Sequence, residues 1–586
     1  GLLGHRGFSQ LMNVESLKTD ILILGAGGAG LMAALHAHTR NPNLDITVVV
    51  KGLLGQSGCT RMVQGGYNAV LSSADSLDLH FHDTIRGGAY LNDQDLAWRL
   101  VTDAPARIVE LENRIGCMFD RNPDGTIHQK AFAGQSFDRT VHRGDLTGIE
   151  IMSNLRDFIL ESPIHVLEET RGLDLFVSDR GVSGALLLHM RSGRFIAAQA
   201  KAVLLATGGG ARMYRISSPS LEKSGDGMAM AWRAGAAFAD TEMLQFHPTG
   251  LLVGKSIATG GLLEEGLRGA GAHLFNGQGE RYMQRYDPKA ERATRDVVSR
   301  SSYLEIIAGR GTPHGGVWID ATHLGVEFLL ENFPGMVERC RDNGFDLLRS
   351  RVEVSPSAHY QMGGLYIDTE CRTSVEGLFA AGEDGSGVHG ANRLGGNGVA
   401  DSIVFGAVAG DVMSQSLPAT GPQPASEAYV RELCSKWTAP LQHQNGERPH
   451  RLRREIENLM WDKVGLVRNG KDLEAALAAL EEIGERASRQ TATPEPAFNL
   501  EWNEALDVMN ICVNAELVAR GALARRESRG SHFRSDYPVS DPNWLKRICL
   551  RRRSDSSTDI SFIALSFHRL YPPELAEPVA SPQMSS

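Results

Sequence analysis

Cysteine is scarce: seven in 586 residues, at positions 59, 117, 340, 371, 434, 512 and 549, with no Cys-x-x-Cys pair among them. That spacing excludes a ferredoxin-type cluster and a zinc ribbon within this chain, and it suits a reducing compartment. Electrons leaving through an iron–sulfur relay would need another polypeptide. Long apolar runs are missing too. None reaches the roughly 20 residues of a membrane span, and the longest candidate, Ile21 to Leu35, is broken by glycines. Positive charge is not in excess. Lys and Arg number 60 against 70 Asp and Glu, a formal net charge of -10, which gives no support to nucleic-acid binding. Gly1 to Leu11 lack the apolar core of a secretory signal and are set aside from fold reasoning, with Met12 the expected natural start.

What is plentiful is glycine, with 64 residues, as expected where backbone must approach a large ligand. The 42% hydrophobic and 22% charged content is that of an ordinary globular enzyme, and the length is too great for one core. The chain is organised around Gly25-Ala26-Gly27-Gly28-Ala29-Gly30, between an apolar run, Ile21 to Leu24, and an Ala-rich helical segment, Leu31 to His38. This is the strand–turn–helix of a dinucleotide site. Gly25 permits the tight turn, Gly27 lets backbone approach a pyrophosphate, and Gly30 lets helix and strand pack closely. The next strand, Ile46 to Val50, ends in Lys51, where an NAD site places an acidic residue for the ribose. FAD is the better expectation.

A glycine-rich loop, Gly52 to Gly66, follows and is expected to run along the cofactor. Phe132 to Ser136 and Asp145 to Gly148 are expected to form another ligand-facing loop. Ala202 to Leu205 reads as a buried parallel strand running into Ala206-Thr207-Gly208, and Gly225-Asp226-Gly227 opens a helix. The resulting fold class is α/β: a Rossmann-like FAD-binding domain (17–241 and 358–416) with an inserted α+β capping domain (242–357). A C-terminal helical domain (426–526) of roughly three helices follows, expected to pack on each other as a structural bundle. The tail, 527–586, is expected as a partly extended surface segment.

Four motifs then stand in order: FHPTG (Phe246 to Gly250), RDVVSR (Arg295 to Arg300), HYQMGG (His359 to Gly364) and HGANRLGGN (His389 to Asn397). With ESRGSHFRSDYP (Glu527 to Pro538), they make the chain resemble the flavoprotein subunit of the succinate dehydrogenase/fumarate reductase family, which also includes L-aspartate oxidase. The resemblance covers roughly Thr19 to Tyr537. It implies FAD held by Gly25, Gly27, Gly28, Gly30, Lys51, Ser57, Cys59, Thr60, Gln64, Gly65, Gly66, Thr207, Gly208, Asp226, Glu383 and Asn397. It implies a dicarboxylate between the flavin and capping domains, gripped by His247, His359 and Arg393. It further implies hydride transfer at flavin N5, with Arg295 as the proton donor or acceptor and Glu265 and Arg268 as its relay. No metal site is implied. A separate iron–sulfur subunit is expected near the helical domain, with a membrane-anchor subunit, and the chain is expected in the cytoplasm, peripheral on the inner membrane through those partners.

The chemistry asks for such residues independently. A dicarboxylate needs clustered cations, and arginine offers a bidentate fork. Arginine is a natural proton donor, whereas its pKa above ~12 makes it a difficult base. Two departures from the family pattern stand out. Cys59 occupies the place of the histidine that bonds covalently to FAD in respiratory relatives, which implies noncovalent FAD, with a cysteinyl link as the alternative. Glu264 stands where relatives place Thr or Ser against a substrate carboxylate. Either it points away or the substrate differs from a simple dicarboxylate. The leading expectation is succinate–fumarate interconversion. An L-aspartate oxidase-like enzyme, in which Glu264 meets a substrate ammonium, and a catalytically silent FAD-binding subunit are the alternatives.

Overall fold

The structure, a computed structural model, describes residues 14–575. The set-aside segment Gly1–Leu11 and the expected start at Met12 lie outside the described residues.

The apolar run before the glycine turn forms the end of the strand Glu15–Leu24, in the middle of a seven-stranded sheet. Ile46–Val49 pairs with it in parallel on one side and Arg194–Leu205 on the other, and His165–Leu167 extends the sheet in parallel beyond Ile46–Val49. Ile21, Leu22, Ile23, Val203, Leu204 and Leu205 are fully buried. Strands covered on both faces read in sequence as unbroken apolar runs, which is why these segments are legible. The strand Arg194–Leu205 is shared. Its first half continues antiparallel into the hairpin of Gly181–His189 and Thr170–Ser178, while its last residues take Leu378–Ala380 in parallel. Leu24, Val49, Leu205 and Ala380 therefore end at one edge of the sheet, where open α/β sheets bind ligands.

The helix Gly28–Arg40 packs against Asn397–Ser416 through small residues. A Cβ on Gly406 would lie 2.4 Å from the Ala29 carbonyl oxygen, and one on Gly410 would lie 2.3 Å from that of Ala33. Only glycine lets the two backbones approach so closely. This contact sets the start of the second helix beside the glycine turn.

The strands Leu244–Leu251 and Val352–Gln361 pair antiparallel and continue through Val317–Asp320 to His273–Phe275. This second sheet has its own apolar core, including Leu263, Leu267, Met283, Val298, Ile319 and Val354. The register of its first pair breaks at Gln245/Phe246 and again at His247/Gly250. Such bulges turn side chains away from a regular alternation, and here they fall on the FHPTG motif.

Three helices, Pro449–Lys463, Gly470–Ala487 and Leu500–Ala524, share a core of Leu452, Ile456, Met460, Leu473, Leu480, Val508 and Ile511. A fourth, Glu427–Gln442, packs Leu433 and Trp437 on the sheet hairpin, against Leu186, Leu188 and Phe195. The expectation that the bundle serves only itself needs correction. Leu500–Ala524 is buried on most sides and carries polar Asp507, Asn510 and Asn514 against the flavin fold. The tail also differs from expectation. Lys546–Arg552 pairs antiparallel with Phe238–Ala239 and with Thr558–Ala564. Buried arginines anchor it: Arg547 Nε donates to Asp240 Oδ2 at 2.6 Å, and Arg525 donates to Glu242 at 2.6 Å and to Glu527 at 2.9 Å. In sequence these arginines look like surface charge, and only their distant partners make burial possible. Among the described residues no helix is long and apolar enough to cross a membrane, and no group of His, Cys, Asp and Glu could hold a metal ion.

Candidate active site

Two cavities, of about 950 and 1010 Å³, meet at the carboxyl edge of the main sheet. Cys59, Thr60, Lys223, Glu383 and Ser402 line both, so the two adjoin along these residues. The first is floored by Gly25, Gly27 and Gly28 and walled by Lys51, Ser57, Thr207, Gly208 and Asp226. The second gathers Gln64, Gly65, Gly66, His247, Glu264, Glu265, Arg295, His359 and Arg393. In sequence these residues are scattered over more than half the chain.

The first cavity fits a dinucleotide. Gly25 has φ +110°, and a Cβ there would meet the Ala206 carbonyl oxygen at 2.0 Å. A Cβ on Gly27 would meet only the Thr60 hydroxyl, at 3.3 Å, so glycine keeps this stretch of floor open. The Gly28–Arg40 helix begins at the same place, its Gly28 N–H donating to Thr60 Oγ1 at 3.0 Å; a helix N-terminus is a natural seat for phosphates. Gly30 does not line the cavity; a Cβ there would clash with the Gly25 carbonyl oxygen at 1.9 Å, which is the close packing its position demands.

Lys51 and Asp226 line the wall, but their charges are spent on neighbours. Lys51 Nζ lies 2.7 Å from Asp507 and 3.2 Å from Asp226, and Arg171 donates to Asp226 at 3.0 Å. Burial alone would raise the Asp226 carboxyl, yet Arg171 and Lys51 outweigh it and hold it far below the usual range. These residues shape the cavity rather than offer it a free charge. Asn397 needs correction as a cofactor contact. Its side chain is turned into the protein, accepting from Asn68 Nδ2 at 2.7 Å, donating to Thr84 Oγ1 at 3.1 Å and lying 3.0 Å from His80 Nε2. Its neighbours Gly396, Gly398 and Val399 line the second cavity instead. Of the expected ligand-facing loop, Phe132 reaches the cavity, while Ser136 turns away to donate to Asp83.

The centre of the second cavity is a buried chain of charge. Arg295, the first residue of the helix Arg295–Glu305, donates through Nε to Glu265 Oε1 at 3.1 Å. Arg268 Nη2 donates to the same oxygen at 3.0 Å. Arg268 does not line the cavity; it stands behind Glu265, fully buried. Burial would raise the Glu265 carboxyl, but Arg295 and Arg268 hold it below its ordinary range. Arg295 Nη1 also donates to Gln245 Oε1 at 3.1 Å, and Gln245 Nε2 donates to the Arg393 carbonyl at 2.7 Å. Gln245 thus ties the two arginines together, a role invisible in the sequence although it directly precedes FHPTG.

Burial pushes the Arg393 guanidinium down to about 10, with Arg295 adding to the effect, so it stays charged at neutral pH. It lies over the Tyr360 ring at 4.3 Å, its Nε has no hydrogen-bond partner, and it forms no ion pair among the described residues. His247 and His359 sit with ring centroids 5.4 Å apart. Burial and the surrounding arginines hold both well below 6.5, hence neutral. The Thr249 backbone N–H donates to His247 Nδ1 at 3.2 Å, which places the ring proton on Nε2. Glu264 neither points away nor meets the cavity as a bare charge. It is ion-paired with Lys130, a residue that nothing in the sequence singles out. Lys223, also unanticipated, is ion-paired with Glu383 where the cavities join.

A family model described as an FAD binding domain matches residues 20–399, and one described as the fumarate reductase flavoprotein C-term matches residues 453–577. The chain belongs to the succinate dehydrogenase/fumarate reductase flavoprotein family. It is an FAD-dependent oxidoreductase of that type. Among its relatives, the flavoprotein is 38% identical to the 8-methylmenaquinol:fumarate reductase flavoprotein subunit of Wolinella succinogenes, over 90% of this chain and 87% of that one. It is 34% identical to the fumarate reductase flavoprotein subunit of Escherichia coli, over 95% and 96%. A solved E. coli quinol fumarate reductase superposes with a TM-score of 0.90 at 34% identity, covering 95% of this chain and 98% of that one.

Proposed function

We propose that the flavoprotein interconverts succinate and fumarate, or a close dicarboxylate analogue, with Arg295 as the proton-transferring residue. The observation that carries this reading is the buried Arg295–Glu265–Arg268 chain, opening on a cavity where Arg393 has no carboxylate of its own. When bound, FAD supplies the hydride exchange with the substrate carbon. Arg393, with neutral His247 and His359, holds a carboxylate beside that carbon. Arg295 presents its proton to the neighbouring carbon, and ionised Glu265 passes a replacement from Arg268. Because arginine gives up a proton to a developing carbanion more readily than it abstracts one, the arrangement favours fumarate reduction.

FAD is held noncovalently in this reading, since a thiol stands at position 59. The L-aspartate oxidase alternative asked Glu264 to meet an ammonium, and its pairing with Lys130 speaks against that. The intact buried relay speaks against a silent subunit. A separate iron–sulfur subunit would take the electrons, since the cysteines here are dispersed and relatives are named as subunits. Attachment to the cytoplasmic face of the inner membrane would come through an anchor subunit.

Anaerobic titration of the flavin absorbance tests the reading. Succinate should bleach it, and fumarate should restore it after dithionite. Bleaching by L-aspartate alone would replace this reading with the oxidase.

A further inference from the structure

Four cations line the second cavity: Lys223, Arg295, Arg339 and Arg393. Two are committed, Lys223 to Glu383 and Arg295 to Glu265. The other two form no ion pair among the described residues. Arg393 comes from the flavin fold. Arg339 comes from the helix Pro334–Asp342 of the inserted segment.

Arg339 has one side-chain hydrogen bond, from Nη1 to the Leu262 carbonyl at 3.0 Å, and Gln64 Nε2 donates to that same oxygen at 3.1 Å. Its helix is fixed in place at the cavity wall. The Met336 N–H donates to Asp145 Oδ2 at 3.1 Å, and Met336 Sδ accepts from the Glu264 N–H at 3.3 Å. Burial pushes the Arg339 guanidinium below its ordinary range; the Asp145 carboxylate, with which it forms no ion pair, offsets this only in part. Such a group gains by meeting an anion. Glu264, which occupies the same wall, is ion-paired with Lys130, so neither offers a substrate carboxylate an uncommitted positive charge.

A dicarboxylate brings two negative groups, and the cavity holds two uncommitted guanidinia. We infer that Arg339 is the second carboxylate-binding residue: Arg393 holds one end of the substrate and Arg339 the other. The inference rests on the dicarboxylate reading above. A substrate held this way spans the flavin fold and the inserted segment.

The test compares FAD-loaded wild type, R339Q and R339K by titration of the flavin spectrum with succinate, malonate and propionate. R339Q keeps a donor for the Leu262 carbonyl but loses the charge. It should weaken both dicarboxylates by about 30-fold, as expected for removing one partner of a desolvated charge pair. Propionate affinity should stay unchanged, and R339K should recover most of the loss. Equal loss for all three ligands, or none, would overturn the inference alone. Failure of wild type to bind either dicarboxylate would overturn the dicarboxylate reading and the inference with it. A second measurement needs no variant. Phenylglyoxal should modify Arg339 in the free protein, and succinate, but not propionate, should protect it by peptide mass; equal protection by both would refute the assignment.

Discussion

Removing Lys130 should destabilise the protein in a way that depends on pH. The Glu264 side chain is 1% exposed, and its only ion-pair partner among the described residues is Lys130. In K130M the carboxylate would be left buried and unpaired, a situation that costs about 3–5 kcal/mol if the charge stays. The group can escape by taking a proton. From an ordinary value of 4.5, that costs about 3.4 kcal/mol at pH 7, about 2 at pH 6 and about 0.7 at pH 5. The deficit is therefore capped by protonation and shrinks as the solution becomes acidic. The sign follows from linkage: the variant's folded state binds the proton more tightly than the unfolded chain. Stability is thus lost as pH rises from about 4.5 toward the elevated folded value. Thermal melting of FAD-loaded protein across pH 5 to 8 should show K130M falling furthest below wild type at the alkaline end. The double variant K130M/E264M, which removes both charges, should recover most of the loss and show no pH-dependent deficit. A deficit independent of pH, or a double variant as unstable as K130M, would refute the reasoning.

R295Q should lower kcat for fumarate reduction by roughly 100-fold or more, the span of a lost general acid, while the flavin content stays that of wild type; steady-state assay with a reduced viologen checks this. Because His247 and His359 are neutral, with folded values well below 6.5, dicarboxylate affinity should be flat between pH 6.5 and 8. If they gripped substrate as cations, a titration series would show affinity falling as pH rises through 6.5. Acid precipitation should leave the flavin in the supernatant, and denatured protein of unchanged mass should confirm that Cys59 carries no adduct. G410V should abolish FAD retention, since a side chain there meets the Ala33 carbonyl at 2.3 Å and forces the two helices beneath the cofactor apart.

The features legible in the sequence are those whose chemistry is local. The turn at Gly25 can be read because strand, glycine and helix are contiguous, and the motifs around His247, Arg295, His359 and Arg393 because each is a compact run. What escapes depends on partners far along the chain. Lys51 reads in sequence as a missing ribose acid, but its partner Asp507 lies 456 residues away, on a helix whose pattern suggests a self-contained bundle. Glu264 poses a paradox because Lys130, 134 residues earlier, cannot be seen beside it. Asn397 heads a helix at the cavity, yet the direction of its side chain is set by Asn68, His80 and Thr84, on separate segments. The tail's arginines carry no periodic pattern, and burial through ion pairs has no signature in composition. Compact motifs are visible along the chain; charge compensation across it requires the fold.

The most direct test of the central claim is product identification. Purified FAD-loaded protein, supplied with a reduced viologen and fumarate, should produce succinate by NMR in amounts matching the viologen consumed, and R295Q should do so roughly 100-fold more slowly or slower still. Retention of FAD with no conversion of fumarate, or equal conversion by R295Q, would contradict the account.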